Sequence, residues 1–203
     1  MKTAILARHG ESEFSVRGVM NGDPGLAGPL TEDGVEQARA LGEAIRETPI
    51  DLSVVTEFER TRQTADLALE GRDVPRLVLP ELNDIHVGEF EGGLLETYRA
   101  WARDRSPVEI PAGGESRAGV AERFGRGFRR VLERPEETIL VVAHGLPIRY
   151  VLLAIEGTEP RPVVETVDYA TPYRLTRTDL EHAVERLELW VMDPIWKGPS
   201  RRV

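Results

Sequence analysis

The sequence predicts an α/β fold, a three-layer sandwich with a mostly parallel central sheet flanked by helices and a helical insertion at about residues 92–115. Two observations carry this expectation. Short apolar runs of strand length alternate with segments of helical periodicity. Two of those runs, far apart in the chain, end in the same His-Gly pair. The 203 residues suit one domain spanning 1–203, and a hydrophobic share of 40% is enough to build its core.

Thr3 to Ala7 is the first strand-like run, Leu52 to Val55 the second, Leu77 to Leu79 a weaker third and Ile139 to Ala143 a strong fourth. Between the first two, Val35, Ala38, Leu41 and Ile45 recur at helical spacing, with Thr31 as the N-cap. Further helices are expected over Glu59–Glu70, Leu95–Arg103 and Glu115–Leu132. The stretch from Gly92 to Glu115 breaks the strand–helix rhythm and reads as an insertion over the sheet, ending in the turn-rich Pro111-Ala112-Gly113-Gly114. Near the end, Leu187, Leu189 and Val191 alternate with Arg186, Glu188 and Trp190, as in a half-buried strand; with Tyr173–Thr176 this predicts an antiparallel edge. The tail from Pro194 to Val203 is expected to be loose, and Gly22, Gly25 and Gly28 read as loop rather than a nucleotide fingerprint.

Composition narrows the function. A net charge of −9 argues against nucleic acid or an anionic membrane held by a general positive field. No apolar run approaches the roughly 18 residues of a membrane span, and Met1 opens almost directly into a strand-like segment without a signal-peptide pattern, so a cytoplasmic location is expected. The absence of cysteine excludes disulfides, thiolate metal sites and cysteine nucleophiles together. Lys2 and Lys197 are the only lysines, and arginine, the residue that grips oxyanions bidentately, supplies every other cation.

Ile5-Leu6-Ala7-Arg8-His9-Gly10 and Val141-Val142-Ala143-His144-Gly145 each place His-Gly directly after a buried strand. Ligands of parallel sheets bind beyond the carboxyl ends of the strands, so His9 and His144 face one cavity if their strands are neighbours. Arg8 reaches the same mouth because the backbone turns at the strand end. Arg60 and Arg62 fall in the first turn of a predicted helix, where the macrodipole disfavours cations unless an anion is near. Arg60 is the expected phosphate ligand, and Arg62 a solvated or structural residue.

Arg8-His9-Gly10-Glu11, the Arg60–Ala65 segment and Ala143-His144-Gly145 resemble the signature of the histidine phosphatase superfamily, the phosphoglycerate-mutase-like proteins, and specifically its phosphatase branch. The match extends to Leu30-Thr31-Glu32-Asp33-Gly34-Val35-Glu36-Gln37-Ala38, to Gly88-Glu89-Phe90-Glu91-Gly92 and to Gly113-Gly114-Glu115-Ser116. The resemblance implies a phosphomonoesterase of the histidine acid phosphatase type. It would work without metal or other cofactor, through phosphorylation of His9, on a small phosphorylated metabolite. Arg8, Arg60 and His144 would surround the phosphoryl oxygens.

The resemblance also places the proton donor at Asp84, with Glu81, Glu89 and Glu91 as weaker candidates. After Glu11 the family often shows Thr and then Trp-Asn; here Ser12, Phe14 and Ser15 stand there, leaving Ser15 as a hydroxyl that can bind substrate. His86 reads as a pocket wall or packing residue and His182 as a surface one. Arg99, Arg103 and Arg105 read as a solvated helical face, with selection of a second anionic group as the minority reading. The rival functions are a phosphoglycerate-type mutase, which uses the same catalytic set, and a phosphate-binding regulatory module without turnover. A metal-dependent hydrolase ranks last, since no H-x-H or H-E-x-x-H spacing occurs. Oligomeric state is not legible.

Overall fold

A computed structural model describes residues 1–196. In chain order the elements are β1 (Thr3–Arg8), α1 (Glu13–Val16), α2 (Glu32–Ala44), β2 (Leu52–Val55), α3 (Glu59–Ala68), β3 (Arg76–Val78), α4 (Leu95–Arg103), α5 (Arg117–Leu132), β4 (Thr138–Ala143), α6 (Gly145–Ile155), β5 (Tyr173–Thr176) and α7 (Arg177–Met192). The strands form one five-stranded sheet in the order β3-β2-β4-β1-β5. All pairings are parallel except that of β5, which runs antiparallel along β1.

Alternation in the central strands explains the three layers. Ala4 and Leu6 of β1 point to the same side as Ile139, Val141 and Ala143 of β4, into a core shared with Phe124 and Phe128 of α5 and Leu180 and Val184 of α7. Ile5 and Ala7, with Leu140 and Val142, point to the other side, against Leu41 of α2 and Ala65 and Ala68 of α3. With both faces covered, these strands read as continuous apolar runs, the pattern of a buried parallel sheet.

Thr31 caps α2 as expected, its side chain accepting from the Gly34 N–H. One expectation fails. Residues Leu187 to Val191 lie inside α7, not in a strand. The buried positions there are Leu180, Ala183, Val184, Leu187 and Trp190, a helical period, whereas Leu189 is 67% exposed. A capping box starts this helix, with Thr176 accepting from the Asp179 N–H and Asp179 accepting from Thr176. The antiparallel edge is therefore Tyr173–Thr176 alone. Of the expected loose tail, Pro194 to Trp196 lie in no helix or strand and the rest falls outside the described residues.

Candidate active site

β1 and β4 are paired neighbours, with Arg8 opposite Ala143, so His9 and His144 emerge side by side at the carboxyl edge of the sheet. Their ring centroids are 5.4 Å apart. His9 opens onto a cavity of about 330 Å³ that is also lined by Arg8, Ser15, Arg60 and Asp84, so five of the six expected site residues line it, while His144 is fully buried behind its wall.

The glycine after His9 is required by close packing. A Cβ on Gly10 would lie 2.4 Å from the Gly34 carbonyl oxygen at the start of α2. The Gly10 N–H also donates to Thr64 Oγ1 of α3 at 2.9 Å. The turn holding the His9 ring is thus clamped between two helices.

His9 Nδ1 lies 2.6 Å from the Gly10 carbonyl oxygen, an acceptor only, so Nδ1 carries the proton and Nε2 keeps its lone pair. Arg60 Nε donates to that Nε2 at 3.1 Å. Burial, then the charges of Arg60 and Arg8, hold the His9 pKa well below its usual 6.5. The imidazole is therefore neutral at physiological pH.

His144 is tied down from both sides. Its Nδ1 accepts from Arg60 Nη2 at 3.3 Å, which leaves Nε2–H to donate to Thr56 Oγ1 at 3.0 Å. Burial and Arg60 likewise depress its pKa well below 6.5.

Arg60 is the hub. Besides both histidines, it donates through Nη1 to Asn21 Oδ1 at 2.6 Å and through Nη2 to the Asn21 carbonyl at 3.2 Å. Asp84 Oδ2 lies 3.8 Å from Arg60 Nη2 and 3.7 Å from His144 Nδ1. Burial lowers the Arg60 pKa to about 10, so the guanidinium stays charged at neutral pH. Burial also raises the Asp84 pKa, against the pull of Arg60, which favours its protonated form. Arg8 donates through Nη1 to the Val167 carbonyl at 2.8 Å and lies 3.9 Å from the centre of the Tyr169 ring. Its Nε is buried without a partner, beside Gly145 at the start of α6. An unpaired donor, a second cation and a helix N-terminus facing one space make an oxyanion cradle.

The other expectations sort themselves by contact. Glu81 pairs with Arg130 at 2.6 Å, Glu89 accepts from the Ala112 N–H, and Glu91 accepts from the N–H groups of Gly22 and Val87. None of the three lines the cavity. The Ser15 hydroxyl is bonded to that of Ser12 at 2.9 Å. His86, Arg62 and His182 are exposed. Of the arginine cluster, Arg103 and Arg105 are exposed, and Arg99 lines the cavity while paired with Glu96 at 2.7 Å. Among the described residues no group of three or more His, Asp or Glu side chains is placed to hold a metal ion, and no helix is long and apolar enough to cross a membrane.

Three contributors were not read from the sequence. Thr56 was detectable in principle, since it follows β2 directly at the functional edge of the sheet. Asn21 and Tyr169 sit on irregular segments with no periodic signal. Tyr169 precedes Ala170, the sole non-glycine residue with positive φ among the described residues (45°), whose N–H donates to the Arg8 carbonyl.

Two neutral imidazoles, two guanidiniums and a carboxyl group at the carboxyl edge of a parallel sheet define an enzyme of phosphoryl transfer. The chain belongs to the histidine phosphatase superfamily (branch 1), whose sequence pattern matches residues 4–192. It is 37% identical over 148 residues to an adenosylcobalamin/alpha-ribazole phosphatase of Salmonella typhimurium, covering 68% of this chain and 72% of the relative. It is also 32% identical over 188 residues to a 2,3-bisphosphoglycerate-dependent phosphoglycerate mutase of Gloeobacter violaceus, covering 85% and 84%. The crystal structure of the alpha-ribazole phosphatase of Shigella flexneri superposes with a TM-score of 0.73 at 28% identity, covering 85% of this chain and 89% of that one.

Proposed function

We propose that this protein hydrolyses small phosphate monoesters in two steps, with His9 as the nucleophile, Asp84 as the acid and base, and no metal ion. The observation that carries the reading is the state of His9. Its Nδ1–H is fixed on the Gly10 carbonyl, its Nε2 carries a lone pair that accepts from Arg60 Nε beside the cavity, and burial with the nearby cations keeps the ring neutral.

A bound phosphate displaces the Arg60 Nε–H bond from His9 Nε2 and takes that donor for itself. Arg8 Nε, Arg60 and a rotated or protonated His144 then face the equatorial oxygens, supplying the charge stabilisation on which phosphoryl transfer depends. The Nε2–P bond forms as the P–O bond to the leaving alcohol breaks, and Asp84 gives its proton to the departing oxygen. In the second step water attacks phosphorus and the N–P bond breaks. The Asp84 carboxylate takes the proton of that water, restoring the starting state. Two arginines already bring the positive charge that a divalent ion would bring, which supports metal independence.

The relatives include both phosphatases and mutases. Water as acceptor is favoured by the short segment between the Gly88–Phe90 turn and α5, which holds only the nine-residue α4. A cytoplasmic setting, a single domain over 1–203 and independence of nucleic acid fit this small-metabolite chemistry. The test is incubation with 3-phosphoglycerate and simple alkyl phosphates after exhaustive chelation. Inorganic phosphate is the expected product. Conversion to 2-phosphoglycerate stimulated by 2,3-bisphosphoglycerate, or activity restored by one divalent ion alone, would overturn the proposal.

A further inference from the structure

The bond from His144 to Thr56 belongs to a longer hydroxyl relay whose direction the contacts fix. Thr56 follows β2 directly and Thr61 stands in the first turn of α3; both are fully buried, and neither lines the cavity at His9. The Thr61 hydroxyl donates to the Phe58 carbonyl at 2.9 Å, which spends its only hydrogen. Its oxygen then accepts from the Thr56 N–H at 3.2 Å and from the Thr56 hydroxyl at 3.0 Å. With that hydrogen spent, Thr56 Oγ1 can only accept, from the Phe58 N–H at 3.3 Å and from His144 Nε2 at 3.0 Å. Each hydroxyl thus gives one hydrogen bond and takes two, the full capacity of its oxygen. Across the ring, His144 Nδ1 faces Arg60 Nη2, always a donor, at 3.3 Å. Both ends demand the same tautomer, with the hydrogen on Nε2.

That tautomer sets a condition on phosphate binding. Arg60 and Asp84 line the cavity and Thr56 does not, so Nδ1 is the nitrogen on the substrate side, and there it bears a lone pair. A phosphate oxygen beside that lone pair is repelled unless the ring turns or takes a proton. Turning it about Cβ–Cγ exchanges each nitrogen for a carbon and forfeits the bonds to Thr56 and Arg60 together. The ring is also held between Phe58 and His9, at centroid distances of 4.7 and 5.4 Å. Protonation at Nδ1 keeps the Nε2–H bond to Thr56, and a hydrogen bond from a charged donor is the stronger one. Burial disfavours that proton, as do Arg60 of α3, Arg8 of β1 and Arg123 of α5; His9 beside the ring is neutral, and Asp84 Oδ2 faces it at 3.7 Å. A phosphate dianion brings two negative charges and reverses the balance.

We propose that Thr56 and Thr61 are positioning residues for the phosphoryl group: their relay bars rotation of His144, so that it binds phosphate as an imidazolium, with one proton taken up at Nδ1 for each dianion bound. This rests on the hydrolase reading above and specifies the state of one of its groups. The proton comes from solvent, or passes from P–O–H to Nδ1 when the phosphate enters as a monoanion. Asp84 keeps its own proton for the leaving alcohol.

Calorimetry of inorganic phosphate binding at about pH 8, well above the second pKa of a phosphate group, tests this without requiring turnover. Repeating the titration in buffers of different ionisation enthalpy counts the protons, and the wild type should take up close to one per phosphate. Thr56→Val, of similar shape but without the hydroxyl, should bind roughly tenfold to a hundredfold more weakly, the range for a hydrogen bond to a charged group, and with smaller uptake. Thr56→Ser returns the hydroxyl and should recover most of both. Thr61→Val, one bond further off, should show a smaller loss of the same kind, and it keeps the test open if thermal unfolding shows that Thr56→Val does not fold. The kcat/KM for an alkyl phosphate should follow the same order. Phosphate binding by the wild type without proton uptake would overturn the proposal. So would wild-type affinity and uptake in Thr56→Val, or undiminished uptake in His144→Gln, which would put the proton on the phosphate. Binding with the expected uptake but no turnover of any ester would refute the hydrolase reading and leave the relay standing.

Discussion

His9 can attack phosphorus only while its Nε2 is unprotonated, and the contacts around it are arranged to that end. The Arg60 Nε–H that occupies the lone pair passes to a bound phosphate in the proposed reaction. The Gly10 carbonyl fixes the proton on Nδ1, while burial and the charges of Arg60 and Arg8 discourage a second proton. Asp84 is pushed the opposite way, its pKa raised by burial more than Arg60 lowers it. A nucleophile whose second proton is disfavoured, beside a carboxyl group whose proton is favoured relative to a free aspartate, is the division of labour that general acid catalysis requires. Asp84→Asn should therefore slow an alkyl phosphate by about 10²–10⁴, the usual worth of a general acid. A nitrophenyl phosphate, whose leaving group needs little help, should lose far less in its first step. The alkaline limb of kcat/KM for the alkyl ester, which reports loss of the Asp84 proton as pH rises, should disappear in the variant. Equal losses on both esters in steady state and in the first turnover would count against Asp84. His9, His144, Arg8 and Arg60 could be singled out in the sequence because histidine and arginine at strand ends or in the first turn of the following helix carry a chemical signature. Asp84 and Ser15 were placed only by the family resemblance. Asn21 and Tyr169 were reached by neither route, since their roles depend on where irregular loops land: one orients Arg60, the other lies against Arg8.

Among the elements, the buried strands β1, β2 and β4 and the helices α2, α3, α4 and α5 stand close to where apolar runs and helical spacing put them. The parallel pairing of β1 with β4, on which the site depends, meets the condition under which the repeated His-Gly endings face one cavity. α6 gave no such signal, because its sequence is apolar on nearly every side and lacks a contrast between faces. α7 was mistaken for a strand over Leu187–Val191, where large apolar residues alternate by chance over five positions. The decisive cue lay upstream, in the Thr176-x-x-Asp179 box. Thr176→Ala removes that cap and should lower unfolding stability by about 1 kcal/mol. Chemical denaturation would measure it, with kcat unaffected, because Thr176 is exposed at the edge of the sheet and does not line the cavity. A loss of activity without loss of stability would contradict the purely structural role.

At the scale of the whole molecule, burying two neutral histidines ties stability to pH. The pKa values of His9 and His144 in the folded state lie well below 6.5, so below pH 6.5 the unfolded chain binds more protons than the folded one. Their contribution is complete above 6.5 and is lost as pH falls toward the folded values, with a limiting slope of about 1.4 kcal/mol per pH unit for each histidine. The raised Asp84 pKa acts with the opposite sign, adding stability in acid that is lost as pH rises through its folded value. Between pH 7.5 and 5.5 the histidines should dominate, and stability should fall on acidification. His9→Gln should make that fall shallower, and an unchanged slope would contradict the neutral, buried state of the ring. The same neutral ring underlies the central claim, that a phosphoryl group passes through His9. Trapping it is the most direct test. Asp84→Asn would be mixed with nitrophenyl phosphate, quenched in alkali and digested for mass spectrometry. The account predicts a burst of nitrophenol together with an acid-labile phosphate on the peptide containing His9, absent from His9→Ala. Turnover in His9→Ala, or phosphate label on any other residue, would contradict it.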